Sequence, residues 1–201
     1  MKNDLIAFIK FLHEVGMLAN TPRSGFAFLG SGKQSVAEHS YRMALTGFVL
    51  AEMVKHKQKV DQRKLLLMCL LHDLPESRIS DLNYVNKKYV AVNEKKVIEE
   101  IQSDYPCVSE IKTLLDEYNE GSSIESQLAH DADQLELLLF LKRESELGNP
   151  KAMDWFDKSE QRLQTDEAKE LAKEIRSTAS DSWWLVNPDD PHWIKPSPNS
   201  I

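Results

Sequence analysis

An all-α fold is what this sequence predicts, and three features carry the reading. Glycine and proline are sparse, at seven and eight in 201 residues. Apolar residues recur at helical spacing over long stretches, and no segment sustains the alternation of β-branched residues that a half-buried strand needs. The composition, 41% hydrophobic and 28% charged, suits one globular domain with a full core.

Taken in order, Leu5, Ile6, Phe8, Ile9, Leu12 and Val15 place a first helix over about residues 4–18, ended by the break at Asn20-Thr21-Pro22. A loop rich in Gly and Ser runs from there to Gln34. Ser35-Val36-Ala37-Glu38 is a capping box, in which Ser and Glu satisfy each other's free backbone N–H groups, so a second long helix begins there with His39 in its first turn. The stripe His39, Met43, Thr46 and Leu50 turns the imidazole inward. Asp61 caps a helix through Leu65–Leu71 that is apolar on every side and is expected at the centre of the core. Pro75 has no N–H to donate and disfavours helical geometry in the residue before it, so that helix stops or kinks just after His72 and Asp73. A short turn then carries Glu76 and Asp81 into a polar, Lys-rich segment over Asn83–Tyr89. Further helices are expected near 93–103, 108–119, 123–147, 150–160 and 166–179, with Asn149 and Pro150 as cap and first-turn proline. Residues 1–180 form the domain; 181–201, carrying Trp183, Trp184, Pro188, Pro191, Trp193, Pro196 and Pro198, are an irregular tail whose tryptophans dock on the body or a partner subunit.

A formal charge of -7 without any basic run argues against a nucleic-acid polymer or an anionic membrane surface as partner. The longest apolar run, Leu65–Leu71, is far short of a bilayer span, and the N-terminus has no cleavable signal pattern. Two cysteines, Cys69 and Cys107, make no disulfide framework; they read as buried thiols in a reducing cytoplasm.

Candidate metal ligands lie in three separate segments: His39, the pair His72-Asp73, and an Asp in Ala129-His130-Asp131-Ala132-Asp133-Gln134. Burying His72 and Asp73 at the end of a helix of Leu, Met and Cys costs roughly 1–3 kcal/mol for each group unless something compensates, and a cation compensates. The plainer reading has Asp73 capping the next helix or pairing with Arg78, and His72 bonded to a carbonyl. Asp131 and Asp133 stand about 200° apart on a helix, on nearly opposite faces, so they cannot both reach inward. Periodicity leaves both open, since Asp131 aligns with Leu128, Leu135 and Leu138, and Asp133 with Ala129, Leu137 and Phe140. His130 reads as a surface or supporting residue.

The order His, His-Asp, Asp resembles the HD-domain metal-dependent phosphohydrolases. The strings Ser-Val-Ala-Glu-His-Ser, His-Asp-Leu-Pro-Glu-Ser-Arg-Ile-Ser-Asp-Leu and Ala-Asp-Gln-Leu-Glu are most similar to its 5'-deoxynucleotidase-like branch, over about residues 3–160. The resemblance implies a compact helical bundle and a homodimer. It implies His39, His72, Asp73 and Asp133 as metal ligands, Glu76 and Asp81 as acid–base and water-positioning carboxylates, and Arg23 as a phosphate-binding arginine. Well-characterised bacterial members place a tryptophan after that arginine to crowd the ribose 2' position. This chain has Ser24 there, so an aromatic wall would come from Phe26 or Phe28. Lys87 and Lys88 are further candidates for touching substrate, against the plainer reading of solvated lysines.

Two neutral imidazoles and two carboxylates leave positions free on an octahedral ion and suit Mn or Co, with Fe, Ni, Zn or Mg as alternatives. Such an ion acidifies water and withdraws charge from a phosphoryl group. The expected activity is release of phosphate from a nucleoside 5'-monophosphate or a similar small phosphomonoester. Competing readings are an HD hydrolase acting on a nucleoside triphosphate, an alarmone or a cyclic nucleotide, and a non-catalytic metal- or nucleotide-binding module. Glu76 and Asp81 speak against the last, because a binding module has no use for spare carboxylates.

Overall fold

Short polar caps set where the helices begin, and the computed structural model, which describes residues 2–106 and 108–184, shows them in place. The order is α1 (Lys2–Met17), α2 (Phe26–Leu29), α3 (Val36–Val54), α4 (Gln62–Leu71), α5 (Glu76–Ile79), α6 (Glu94–Asp104), α7 (Glu110–Glu120), α8 (Ile124–Glu146), α9 (Lys151–Glu160) and α10 (Asp166–Ser177). Among the described residues there is no strand, only an isolated bridge between Pro22 and Ser35. The capping box is formed: Glu38 N donates to Ser35 Oγ at 3.2 Å and Ser35 N to Glu38 Oε2 at 2.6 Å. Asp61, Asn93, Ser123 and Thr165 cap α4, α6, α8 and α10 by accepting one backbone N–H each, contributing about 1 kcal/mol apiece. Before α9, Asn149 Oδ1 accepts from Lys151 N across Pro150.

The central element is α8, not α4. Leu128, Ala129, Ala132, Leu135, Leu138 and Leu141 of α8 are all buried, and α3, α4, α7, α9 and α10 pack around it. Helix α4 buries Leu65, Met68 and Cys69 towards α3 and α8 but leaves Leu70 44% exposed. Its uniform apolar sequence therefore overstates its burial. Where α3 and α4 cross, Gly47 is needed: a Cβ there would lie 2.9 Å from Cys69 Sγ. That close approach brings the His39 and His72 rings, carried at the adjoining ends of the two helices, to 5.5 Å between centroids.

A smaller cluster of Leu74, Ile98, Ile101, Tyr105, Ile111 and Leu115 underlies the segment after Asp73, with Phe11 and Val15 of α1 packed on it. Glu14 joins α1 to that cluster by bonds from Arg78 Nε at 2.6 Å and from the Tyr105 hydroxyl. The rest of the α1 stripe is uncovered, with Leu5, Ile6, Phe8, Ile9 and Leu12 all exposed, as are Tyr41, Leu45, Phe48 and Val49 of α3. Trp183 is 80% exposed on this chain, so of the two docking places expected for the tail's tryptophans it does not take the body. Cys107 and the tail residues 185–201, including Pro188, Pro191, Trp193, Pro196 and Pro198, lie outside the described residues. No helix among the described residues is long and apolar enough to cross a membrane.

Candidate metal centre

Three elements deliver the candidate ligands to one point. The capping box holds the first turn of α3 and with it His39; the end of α4 supplies His72 and Asp73; the middle of α8 supplies Asp133. His39, His72 and Asp133 each offer a ligand atom within 4.8 Å of the others. Asp73 joins them, with Oδ2 3.1 Å from His72 Nε2 and 3.8 Å from His39 Nε2.

The tautomers follow from what each ring meets on its other side. His72 Nδ1 donates to the Cys69 carbonyl at 3.1 Å, and His39 Nδ1 to Glu136 Oε2 at 2.7 Å. Both Nε2 atoms are thus left with lone pairs, and both face carboxylate oxygens; His39 Nε2 lies 3.1 Å from Asp133 Oδ1. This buried nitrogen has no satisfactory hydrogen-bond partner. Lone pairs turned on lone pairs in the interior repel unless a cation or a proton lies between them, so the donor set fits a divalent ion. Where only protons are available, burial and Arg23 oppose charging of His39, but Asp133 and Glu136 prevail and lift its pKa to about 9. Burial also acts against ionisation of Asp73 and Asp133. The two imidazoles and Arg23 outweigh it and hold both below the usual carboxylate range.

Glu76 behaves in the opposite way. Burial first, then the Asp73 and Asp81 carboxylates, push its pKa up to about 9, and Oε2 has no hydrogen-bond partner. Arg23 Nη1 lies 3.3 Å from Asp73 Oδ2; burial opposes its charge, but Asp133, Asp73, Asp81 and Glu136 more than offset this. Asp81 fastens the Arg23 loop, since Ser24 N donates to its Oδ2 at 2.6 Å and Ser24 Oγ to its carbonyl at 2.7 Å. The chain reaches Asp81 through Ser80, whose φ of 63° is a left-handed value unusual for a residue with a side chain.

Contrary to the expectation that only one could reach inward, Asp131 and Asp133 both do, because α8 is buried on both sides. Asp131, fully buried, accepts from Gln164 N, Thr165 N and Thr165 Oγ1 at 2.7, 2.9 and 2.6 Å and so holds the start of α10. Asp133 takes the side facing the histidines, with Gln134 Nε2 donating to its Oδ2 at 2.8 Å. His130 bonds the Tyr118 carbonyl and packs on the Tyr118 ring, away from the ligands. Arg78 pairs with Glu14 and Asp104 rather than with Asp73.

His72, Asp73 and Asp133, with His39 buried behind them, open on a cavity of about 930 Å³ also lined by Arg23, Glu76, Asp81, Lys87, Phe28 and Trp155. Lys88 is not part of this lining; its Nζ sits 4.2 Å over the Tyr84 ring. Phe26 cannot form the wall, because it is buried and stacked on Phe140 at 4.0 Å. Trp155 can, and sequence reading missed it: its ring edge comes so near Gly25 that a Cβ there would lie 3.2 Å away. Glu136 was missed as well, although a lone acid inside the run Leu135–Leu141 was a signal that a buried partner must exist.

Comparisons with known proteins bear on the chain as a whole. The HD domain model matches residues 15–176. A Dictyostelium discoideum protein named 5'-deoxynucleotidase HDDC2 is 29% identical over 184 residues, covering 85% of this chain and 97% of that protein. The Danio rerio 5'-deoxynucleotidase HDDC2 is 28% identical, covering 74% of this chain and 75% of its own. Among solved structures, a conserved hypothetical protein from Pyrococcus furiosus superposes with a TM-score of 0.71 at 27% identity, over 85% of this chain and 99% of that one. A match spanning the whole helical body, from the end of α1 to the end of α10, places the chain in the HD domain family.

Proposed function

We propose that this protein is a metal-dependent phosphohydrolase that releases phosphate from nucleoside 5'-monophosphates. The observation that carries the reading is the convergence of His39, His72, Asp73 and Asp133 beside Arg23 and Glu76 in one cavity. The activity named for its HD-domain relatives supports the choice of substrate. A divalent ion held by the four ligands, with Mn or Co best suited to them and Fe, Ni, Zn or Mg as alternatives, supplies Lewis-acid chemistry towards water and phosphoryl oxygen.

The chain's own residues do the rest. Arg23 offers a planar fork of N–H donors to the phosphate oxygens, and its charge offsets the carboxylates around it. Glu76, carrying its proton at neutral pH, donates it to the departing 5'-oxygen, which makes it the acid of the pair. Asp81, with Oδ2 tied to Ser24, orients the attacking water through its other oxygen. Lys87 faces the same cavity and adds positive charge at its rim, while Trp155 and Phe28 offer the apolar wall for sugar and base. A cytoplasmic setting accompanies this reading, with Cys69 a free buried thiol.

Metal-stripped protein incubated with ribo- and deoxyribonucleoside mono-, tri- and cyclic phosphates, with and without Mn²⁺ or Co²⁺, tests the assignment. Metal-dependent phosphate release from the monophosphates supports it; turnover of triphosphates or cyclic nucleotides alone overturns it. We also infer a homodimer through the bare apolar faces of α1 and α3. Leu12→Asp combined with Leu45→Asp then gives a monomer by light scattering, and wild-type protein that is itself monomeric refutes the inference.

A further inference from the structure

Glu136 is a fully buried charge that no catalytic step above uses, and its two oxygens have different partners. It follows Asp133 by one turn of α8, between Leu135 and Leu137. Oε2 accepts from His39 Nδ1 at 2.7 Å. Oε1 accepts from Gln34 Nε2 at 2.8 Å and pairs with Arg42 Nη1 at 3.1 Å. A carboxylate has no proton to give, so the ring proton of His39 must sit on Nδ1, which turns the Nε2 lone pair towards Asp133 and Asp73. Gln34 and Arg42, both donors, in turn fix which way the carboxylate faces.

We propose that Glu136 is a positioning residue that sets the tautomer and ring orientation of His39, with Gln34 and Arg42 holding Glu136 in register. The inference rests on His39 being a metal ligand and adds a residue that acts only through it. It has a sharp consequence for Glu136→Gln, a change of almost no volume. The Oε1 position faces two donors, so the amide must place its carbonyl there, and its NH₂ then lands opposite His39 Nδ1. Two donors cannot share that contact. Nδ1 becomes the acceptor, the ring proton moves to Nε2, and the lone pair meant for the ion is lost. Glu136→Asp keeps an acceptor on the same side and keeps the tautomer.

The test uses full-length protein with ¹⁵N-labelled histidine, loaded with diamagnetic Zn²⁺, and reads the His39 nitrogens by long-range proton–nitrogen correlation at one pH. Zn²⁺ affinity is measured in parallel by competition with a chromophoric chelator. Wild type is expected to show the proton on Nδ1 and the metal at Nε2. Glu136→Gln should show the proton on Nε2 and bind roughly 10–100-fold more weakly, while Glu136→Asp keeps the proton on Nδ1 and loses less affinity than Glu136→Gln. Glu144→Gln, which alters another buried carboxylate of α8 bonded to Ser31, serves as control and leaves Zn²⁺ affinity unchanged. Unaltered tautomer and affinity in Glu136→Gln overturn the proposal while leaving the metal centre standing. A wild-type His39 that never coordinates Zn²⁺ brings down the metal centre itself. If Glu136→Gln fails to fold, Glu136→Asp decides, and a proton on Nε2 in that variant refutes the role.

Discussion

Replacing Asp131 and Asp133 separately by alanine divides the fold from the chemistry on a single turn of α8. Asp131→Ala removes a fully buried acceptor from two backbone N–H groups and one hydroxyl at the partly exposed start of α10. Hydrogen bonds to a charged group contribute about 1.5–3 kcal/mol each, and with water taking over part of the three lost here the total is about 3–5 kcal/mol. For a chain of this length each kcal/mol moves the melting temperature by roughly 2–4 °C, so the loss is roughly 6–20 °C. Metal at a hundred times its Kd adds about 2.7 kcal/mol to the stability of any variant that still binds it. Asp131→Ala should therefore melt early yet keep a metal-induced rise of roughly 5–11 °C and keep its phosphatase activity. Asp133→Ala should lose the rise and the activity together. Calorimetric melting with and without Mn²⁺, alongside phosphate release, reads both effects. A metal-induced rise that survives in Asp133→Ala and disappears in Asp131→Ala would refute the assignment of the ligand.

Three other outcomes follow from the same geometry. Glu76→Gln should slow turnover by about 10²–10⁴-fold; burial holds the wild-type carboxyl above the usual range, to about 9 without the ion, and a bound cation draws that value down, so wild-type activity should fall as pH rises on a limb at or below it, and a flat alkaline limb would count against Glu76 as the acid. Binding of the ion at pH 7 should release about one proton from His39, whose pKa is otherwise lifted to about 9, and metal affinity should weaken as pH falls below that value; titration calorimetry in buffers of different ionisation enthalpy measures the count, and zero would refute it. Gly47→Ala should cost about 1–3 kcal/mol by forcing α3 from α4, and Cys69→Ala, by removing the sulfur 2.9 Å from the new Cβ, should restore most of the loss in melting temperature.

What the sequence disclosed and what it withheld divide by the distance over which the cause acts. Ser35 and Glu38, Asp61, and Asn149 with Pro150 were legible because a cap is satisfied within three or four residues. The inward face of His39 was legible because Met43, Thr46 and Leu50 repeat it one turn at a time. The choice between Asp131 and Asp133 was not, because α8 is buried on both sides and only its neighbours decide: Gln164 and Thr165 claim one, His39 the other. The bareness of α1 was illegible for a related reason. Periodicity says which side of a helix is apolar and nothing about what covers it. Likewise the wall of the cavity came from Trp155, which is brought beside Gly25 from a helix some 130 residues further along the chain, whereas Phe26, the nearer candidate, was drawn into the core by Phe140.

The same distinction explains why the ligands alone understate the site. Asp73, Glu76, Asp81, Asp133 and Glu136 crowd five carboxyl groups about one region of a protein already at -7. Such a cluster is tolerable only if its members are kept in different states. Asp73 and Asp133 are held ionised by imidazole and guanidinium, Glu136 by His39 and Arg42 in spite of its burial, and Glu76 escapes by keeping its proton. Each state is the one the proposed role requires: anions where a cation would bind, an acceptor where a tautomer would be set, and a donor where a leaving group would be protonated. Environment separates these carboxyl groups chemically where sequence sees only Asp and Glu. A cation entering among Asp73, Asp133 and the two Nε2 atoms takes the place of the proton that otherwise relieves their repulsion, so the site is suited to an ion before any substrate arrives.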